Sequence, residues 1–140
     1  MTTLDDCKFV NLKNKRESRG NLTFIESGID IDFKIERVYY IYDVPSGQYR
    51  GSHAHKNLEQ LIIAISGSFD IIVDDGKKKK LVTLDNPVLG LYLPKMIWRK
   101  MNNFSSGSVC LVFASDHYDE KDYIRNYDEF LKKKGFSKRK

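Results

Sequence analysis

Gly47-Gln48-Tyr49-Arg50-Gly51-Ser52-His53-Ala54-His55-Lys56-Asn57-Leu58-Glu59-Gln60 decides how this chain is read. Two histidines separated by one residue share a face if the backbone is extended, because side chains alternate across a strand. Glu59 falls on the same odd-numbered face if that strand runs on unbroken. An apolar run, Leu61-Ile62-Ile63-Ala64-Ile65, follows at once. It predicts that 53–66 is a strand of the core. Working outward, further short runs rich in β-branched and aromatic residues read as strands at 22–26, 34–43, 68–74, 80–84, 88–93, 97–102 and 108–115. Between them stand turn signals: Ser46-Gly47, Ser66-Gly67, Asp74-Asp75-Gly76, Asp85-Asn86-Pro87 and Ser105-Ser106-Gly107. Many short strands with regular turns predict an all-β sandwich or barrel.

The end of the chain changes period. Tyr123, Ile124, Tyr127, Phe130 and Leu131 recur at helical spacing, which predicts one helix over 119–134. Asp119 and Glu120 suit its start, Lys132–Lys134 its end, and Gly135 its stop.

Composition narrows the class. A length of 140 residues fits one domain, and 41% hydrophobic residues can fill one core. No stretch is long and apolar enough for a membrane span. The first residues lack an apolar signal segment, so a cytoplasmic location and no membrane partner are expected. Cys7 and Cys110 form no metal-type or redox pair. The net charge of +5 comes largely from Lys77–Lys80, beside a hairpin turn, and from the tail 132–140, read as a frayed end. Neither cluster is interleaved with aromatics, so no nucleic-acid partner is expected; a small anionic substrate suits the surplus better.

The spacing Gly47, five residues, His53, one, His55, three, Glu59, seven, Gly67 resembles the first motif of the cupin superfamily. In metal-bearing cupins both histidines and the glutamate are ligands, joined by a histidine from a second motif. Here the second motif is the segment from Pro94 to Asn103. Arg99 stands where that histidine falls, and Met96 replaces a glycine. A guanidinium cannot coordinate a cation, so no metal is expected, and the histidines are assigned to proton transfer at ordinary imidazole pKa values. Enolisation beside a ketone fits, with Arg99 or a tyrosine hydroxyl steadying the enolate oxygen. Two competing readings are a metal-dependent cupin enzyme using His53, His55 and Glu59, and a non-catalytic sugar-binding cupin.

Longer motifs sharpen this. Arg19-Gly20, Arg37-Val-Tyr39-Tyr40, the segment from Arg50 to Gln60, Gly90-Leu-Tyr92, Trp98-Arg99-Lys-Met101 and the segment from Ala114 to Tyr127 resemble the sugar 3,4-ketoisomerases that act on dTDP-4-keto-6-deoxyglucose. The resemblance covers nearly the whole chain. It implies a single cupin domain over 1–140, a double-stranded β-helix (jelly-roll) barrel of about residues 20–116 with a short C-terminal helix. It implies a dTDP-linked 4-keto-6-deoxyhexose as substrate, no cofactor, and a step toward 3-amino-3,6-dideoxy sugars of surface glycans such as lipopolysaccharide. It implies a homodimer with exchanged N-terminal strands. Carried over by position, His53 and His55 are the proton-transfer pair and Tyr39 lines their cavity. Arg19 and Arg99 approach the hexose, Arg50 and Lys56 the diphosphate, and Glu59 and Gln60 support substrate binding. A dTDP-sugar epimerase is the near alternative within the same superfamily.

Overall fold

The computed structural model describes residues 1–136. Two five-stranded antiparallel sheets face one another, as expected for a cupin barrel. In the first the order is β1 (Lys8–Asn11), β9 (Leu89–Leu93), β6 (Gln60–Ser66), β11 (Val109–Ala114), β4 (Arg37–Tyr42). In the second it is β12 (Tyr123–Ile124), β5 (Arg50–His55), β10 (Trp98–Asn102), β7 (Phe69–Asp74), β8 (Lys79–Leu84). A separate hairpin pairs β2 (Lys13–Glu17) with β3 (Gly20–Phe24). One helix, α1 (Tyr127–Lys133), follows β12.

Alternation builds the core. In β11, Cys110, Val112 and Ala114 are buried, while Val109, Leu111 and Phe113 face out. Ile62, Phe69, Ile71, Val73, Leu91, Leu93, Ile97 and Met101 join Cys110 and Val112 between the sheets. At roughly 1.5–3 kcal/mol for each fully buried large apolar side chain, this layer is the main stabilising term. One end of the sandwich is therefore apolar. The other end receives the polar residues of β4, β5, β6 and β10.

Three expectations change. The strand read at 53–66 is two strands: β5 stops at His55, the chain turns over 56–59, and β6 starts at Gln60. The predicted helix over 119–134 is a 3-10 turn (Glu120–Asp122), then the strand β12, then α1. Tyr123 and Ile124 stay extended because they pair with His55 and Ala54 along the edge of β5. Ile124, Phe130 and Leu131 still bury together against Ala54, so helical spacing found the packing but not the backbone. Asn126 caps α1 by accepting from the Glu129 N–H. Within the basic tail, Lys134 is buried; its ammonium donates to the carbonyls of Thr2 and Met96. It fastens the two chain ends rather than fraying. The last part of that tail, 137–140, lies outside the described residues.

Candidate active site

His53 and His55 lie on β5, whose neighbours are β10 and β12. Gly51 and Ser52 precede them at φ +95° and +41°, a left-handed bend that glycine accommodates. The bend brings the Gly51 carbonyl to 2.5 Å from His53 Nδ1. A carbonyl only accepts, so His53 donates from Nδ1. On the other ring, His55 Nδ1 lies 3.0 Å from an Asp122 carboxylate oxygen. The two Nε2 atoms are 3.1 Å apart, with the rings nearly perpendicular at 87°.

Arg99 pairs directly with His53 across β10 and β5. It is 2% exposed, and no carboxylate touches its guanidinium among the described residues. Its Nη1 donates to Gln60 Oε1, its Nε to the Ile97 carbonyl at 3.3 Å, and its Nη2 has no partner. Gln60 passes the chain on, donating from Nε2 to the Tyr39 hydroxyl at 2.8 Å. That leaves the phenol's own proton free to donate. Burial raises the Tyr39 pKa, so the phenol stays protonated. His53, His55, Arg99, Gln60 and Tyr39 thus converge on the polar end of the sandwich.

Electrostatics follow from burial. Desolvation first, and the Arg99 charge second, push His53 down to about 3 and His55 down to about 2. Both imidazoles are therefore neutral at physiological pH, without the fraction of protonated form that an ordinary histidine keeps there.

Other expected residues stand elsewhere. Glu59 lies beyond the end of β5 and accepts from the Tyr92 hydroxyl. It lines a surface depression of about 1090 Å³, which none of the converging residues lines. The break after His55 thus removes Glu59 from the histidine face, and the three-ligand set does not assemble. Arg19 sits at the turn of the β2–β3 hairpin, 88% exposed and paired with Glu17 at 2.9 Å. Arg50 is exposed at the start of β5, beside Tyr40, Tyr42 and Tyr49. Lys56 donates to the Lys121 carbonyl at 2.9 Å.

Sequence reasoning missed Asp122, Tyr123 and Arg37. Tyr123 lies across both imidazoles, with ring centroids 5.0 Å from His53 and 4.4 Å from His55. The Arg125 guanidinium packs on that ring at 4.3 Å and pairs with Glu120. Arg37 stacks on Tyr39 and Tyr118 and leaves a buried Nε without a partner. A cavity of about 130 Å³ opens between Arg37, His55, Ser115 and Tyr123. Asp122 and Tyr123 stood inside a quoted motif. Only the pairing of β12 with β5, across nearly seventy residues, reveals their place.

Comparison with known proteins places this geometry. The family model FdtA: WxcM-like, C-terminal, matches residues 5–135. The TDP-4-oxo-6-deoxy-alpha-D-glucose-3,4-oxoisomerase of Aneurinibacillus thermoaerophilus is 49% identical over 125 residues, covering 89% of this chain and 90% of that protein. The WlaRB TDP-quinovose 3,4-ketoisomerase of Campylobacter jejuni is 52% identical with TM-score 0.87, covering 91% of this chain and 98% of that one. A histidine-to-asparagine mutant of the QdtA 3,4-ketoisomerase from Thermoanaerobacterium thermosaccharolyticum, solved in complex with TDP-4-keto-6-deoxyglucose, is 41% identical with TM-score 0.92. The match covers 94% of this chain and 95% of that one.

Proposed function

The chain belongs to the FdtA family and is a sugar 3,4-ketoisomerase, and from that premise we propose that it moves the ketone of TDP-4-keto-6-deoxyglucose from C4 to C3 through an enediol. The observation that carries this reading is a buried guanidinium with a free N–H and no carboxylate in contact, beside two neutral imidazoles. Burying an uncompensated charge costs several kcal/mol. A site that keeps one is built for an anion that forms during reaction, and an enediolate oxygen is such an anion.

The steps follow. An imidazole of the His53–His55 pair takes the proton from C3. The C–H electron pair becomes the C3–C4 double bond, and the carbonyl π pair moves onto O4. Arg99 Nη2 and the Tyr39 hydroxyl face the charge that develops. A proton then passes from O3 to O4, C4 is protonated, and the ketone stands at C3. Low imidazole pKa values suit this cycle. The base is unprotonated when substrate arrives, and the enediolate supplies the negative charge that makes its protonation favourable. Neither a metal nor an organic cofactor enters: Arg99 occupies the last ligand position and Glu59 faces away.

Arg19 fits a substrate contact only in a larger assembly. The hairpin carrying Arg19 packs into neither sheet of its own chain. Leu22 on it, and Val38, Tyr40 and Tyr42 on the edge strand β4, are exposed apolar residues of the kind an interface covers. The proposed state is a homodimer with exchanged N-terminal strands, each arm delivering Arg19 to the partner's sugar site. The product feeds a cytoplasmic route to 3-amino-3,6-dideoxy sugars for lipopolysaccharide or other surface glycans. NMR of TDP-4-keto-6-deoxyglucose incubated with the protein in D2O tests the reaction. The expected product carries the ketone at C3, with deuterium entering C4 over repeated turnovers. Inversion at a ring carbon without ketone migration would indicate an epimerase instead; no product at all would reject the reading.

A further inference from the structure

We propose that Asp122 is a positioning residue that fixes the proton of His55 on Nδ1, leaving the two Nε2 atoms of the histidine pair bare and facing, so that they hold one transferred proton between them. The inference deepens the ketoisomerase reading and rests on it for its kinetic part alone.

The carboxylate is held from several sides. Asp122 Oδ1 accepts the Asn57 N–H at 2.8 Å, and Oδ2 accepts the Leu58 N–H at 3.3 Å. Its backbone carbonyl accepts from the Lys56 N–H at 2.9 Å, and its backbone N–H donates to Asp119 at 3.1 Å. The carboxylate therefore sits fixed behind His55, with Oδ2 turned to Nδ1 at 3.0 Å. A carboxylate can only accept, so the proton lies on Nδ1 of His55. The Gly51 carbonyl imposes the same form on His53.

Counting protons gives the consequence. Three contacts run in line: Gly51 to His53, His53 to His55, and His55 to Asp122. Each needs one proton to be a hydrogen bond. Two neutral imidazoles beside a carboxylate supply two, both on Nδ1. The middle contact, at 3.1 Å, lacks one. When the C3–H bond breaks, its proton fills that gap, while its electron pair stays with the sugar as the enediolate. Returning the proton to C4 restores the starting inventory. Asp122 compensates the positive charge the pair carries in between.

Asp122→Asn tests this while keeping the shorter backbone contact, from Asn57 at 2.8 Å, and giving up only the longer one, from Leu58 at 3.3 Å. The amide oxygen can keep the Asn57 N–H, which turns the amide N–H2 toward His55 Nδ1. Nδ1 must then accept, and the His55 proton moves to Nε2. With ¹⁵N-labelled histidine, the wild type should show His55 Nδ1 protonated. The Asp122→Asn protein should show it unprotonated, with kcat reduced about 10²–10⁴-fold, as when a triad carboxylate that sets a histidine tautomer is replaced by its amide. KM should stay within about threefold and Asp122→Glu should recover part of kcat, since the effect is on chemistry and not on binding. An unchanged tautomer in a folded Asp122→Asn protein, or kcat within threefold of wild type, overturns the proposal. If that variant does not fold, the wild-type spectrum decides: a His55 proton on Nε2 is fatal. A wild type that isomerises nothing defeats the proposed reaction, whereas the spectrum still judges Asp122.

Discussion

Replacing Arg99 by methionine should separate stability from activity. Arg99 is 2% exposed and meets no carboxylate, so the folded protein bears the desolvation of a bare cation, several kcal/mol. Methionine has a similar length and removes that term. It also frees Gln60 Oε1 and the Ile97 carbonyl, which lose Arg99 as donor; each unsatisfied group costs about 1–3 kcal/mol. The relief matches or exceeds these losses, and a net gain of about 1–2 kcal/mol would raise Tm by about 3–6 °C in a domain of this size. Activity moves oppositely. Loss of one preorganised donor to an oxyanion costs about 10²–10³-fold in kcat. The imidazoles should become easier to protonate, because the Arg99 charge is the second-largest cause of their depression. Calorimetry, histidine NMR titration and turnover of TDP-4-keto-6-deoxyglucose read the three effects. A Tm several degrees lower would show that Arg99 holds the fold together. A kcat within tenfold of wild type would show that no negative charge develops beside it.

The same depressed imidazoles should make the fold acid-sensitive. The unfolded chain binds their protons below about pH 6.5, but the folded chain does so only near pH 3 and 2. Stability should therefore fall as pH drops through that window, by up to about 1.4 kcal/mol per pH unit for each histidine. A pH series of denaturant melts should lose most of this slope in a His53→Asn, His55→Asn double variant; an unchanged slope would place the effect elsewhere. Glu59→Gln should leave kcat within about threefold, since Glu59 serves Tyr92, while costing about 1 kcal/mol of stability. A hundredfold loss of kcat would return Glu59 to the site. Gly90→Ala should cost about 1–3 kcal/mol by overpacking, because its Cβ would stand 2.7 Å from the buried Leu61 Cδ1. A variant as stable as wild type would mean that this contact yields freely.

What was legible in the sequence was what depends on alternation. His53 and His55 could be placed together because two residues of one short strand need no knowledge of its partners. The strands around Ile62, Ile71, Leu91 and Val112 announced themselves by apolar, β-branched runs. The first two strands did not, since Lys13–Glu17 is wholly polar and Lys8–Asn11 offers only Phe9 and Val10. Glu59 was misplaced for the same reason that the histidines were found: the period of two was carried through a turn that the sequence does not mark. Asp122 illustrates the opposite failure. A carboxylate acquires meaning from what lies opposite, and that was set by strand pairing far along the chain. The helical spacing from Tyr123 onward reported a real apolar cluster, but an unsatisfied sheet edge outweighed helix propensity at Tyr123 and Ile124.

The cover built by residues 119–125 has a consequence for how such a protein can change. This segment supplies the carboxylate behind His55 and the ring across both imidazoles, yet only β12 within it joins a sheet, and at an edge. An edge strand has one ladder to keep, whereas replacing a central strand disturbs ladders on both sides. The acidity, wetness and reach of the reactive pair can thus be rewritten from this one edge segment, without touching the central strand that holds the histidines.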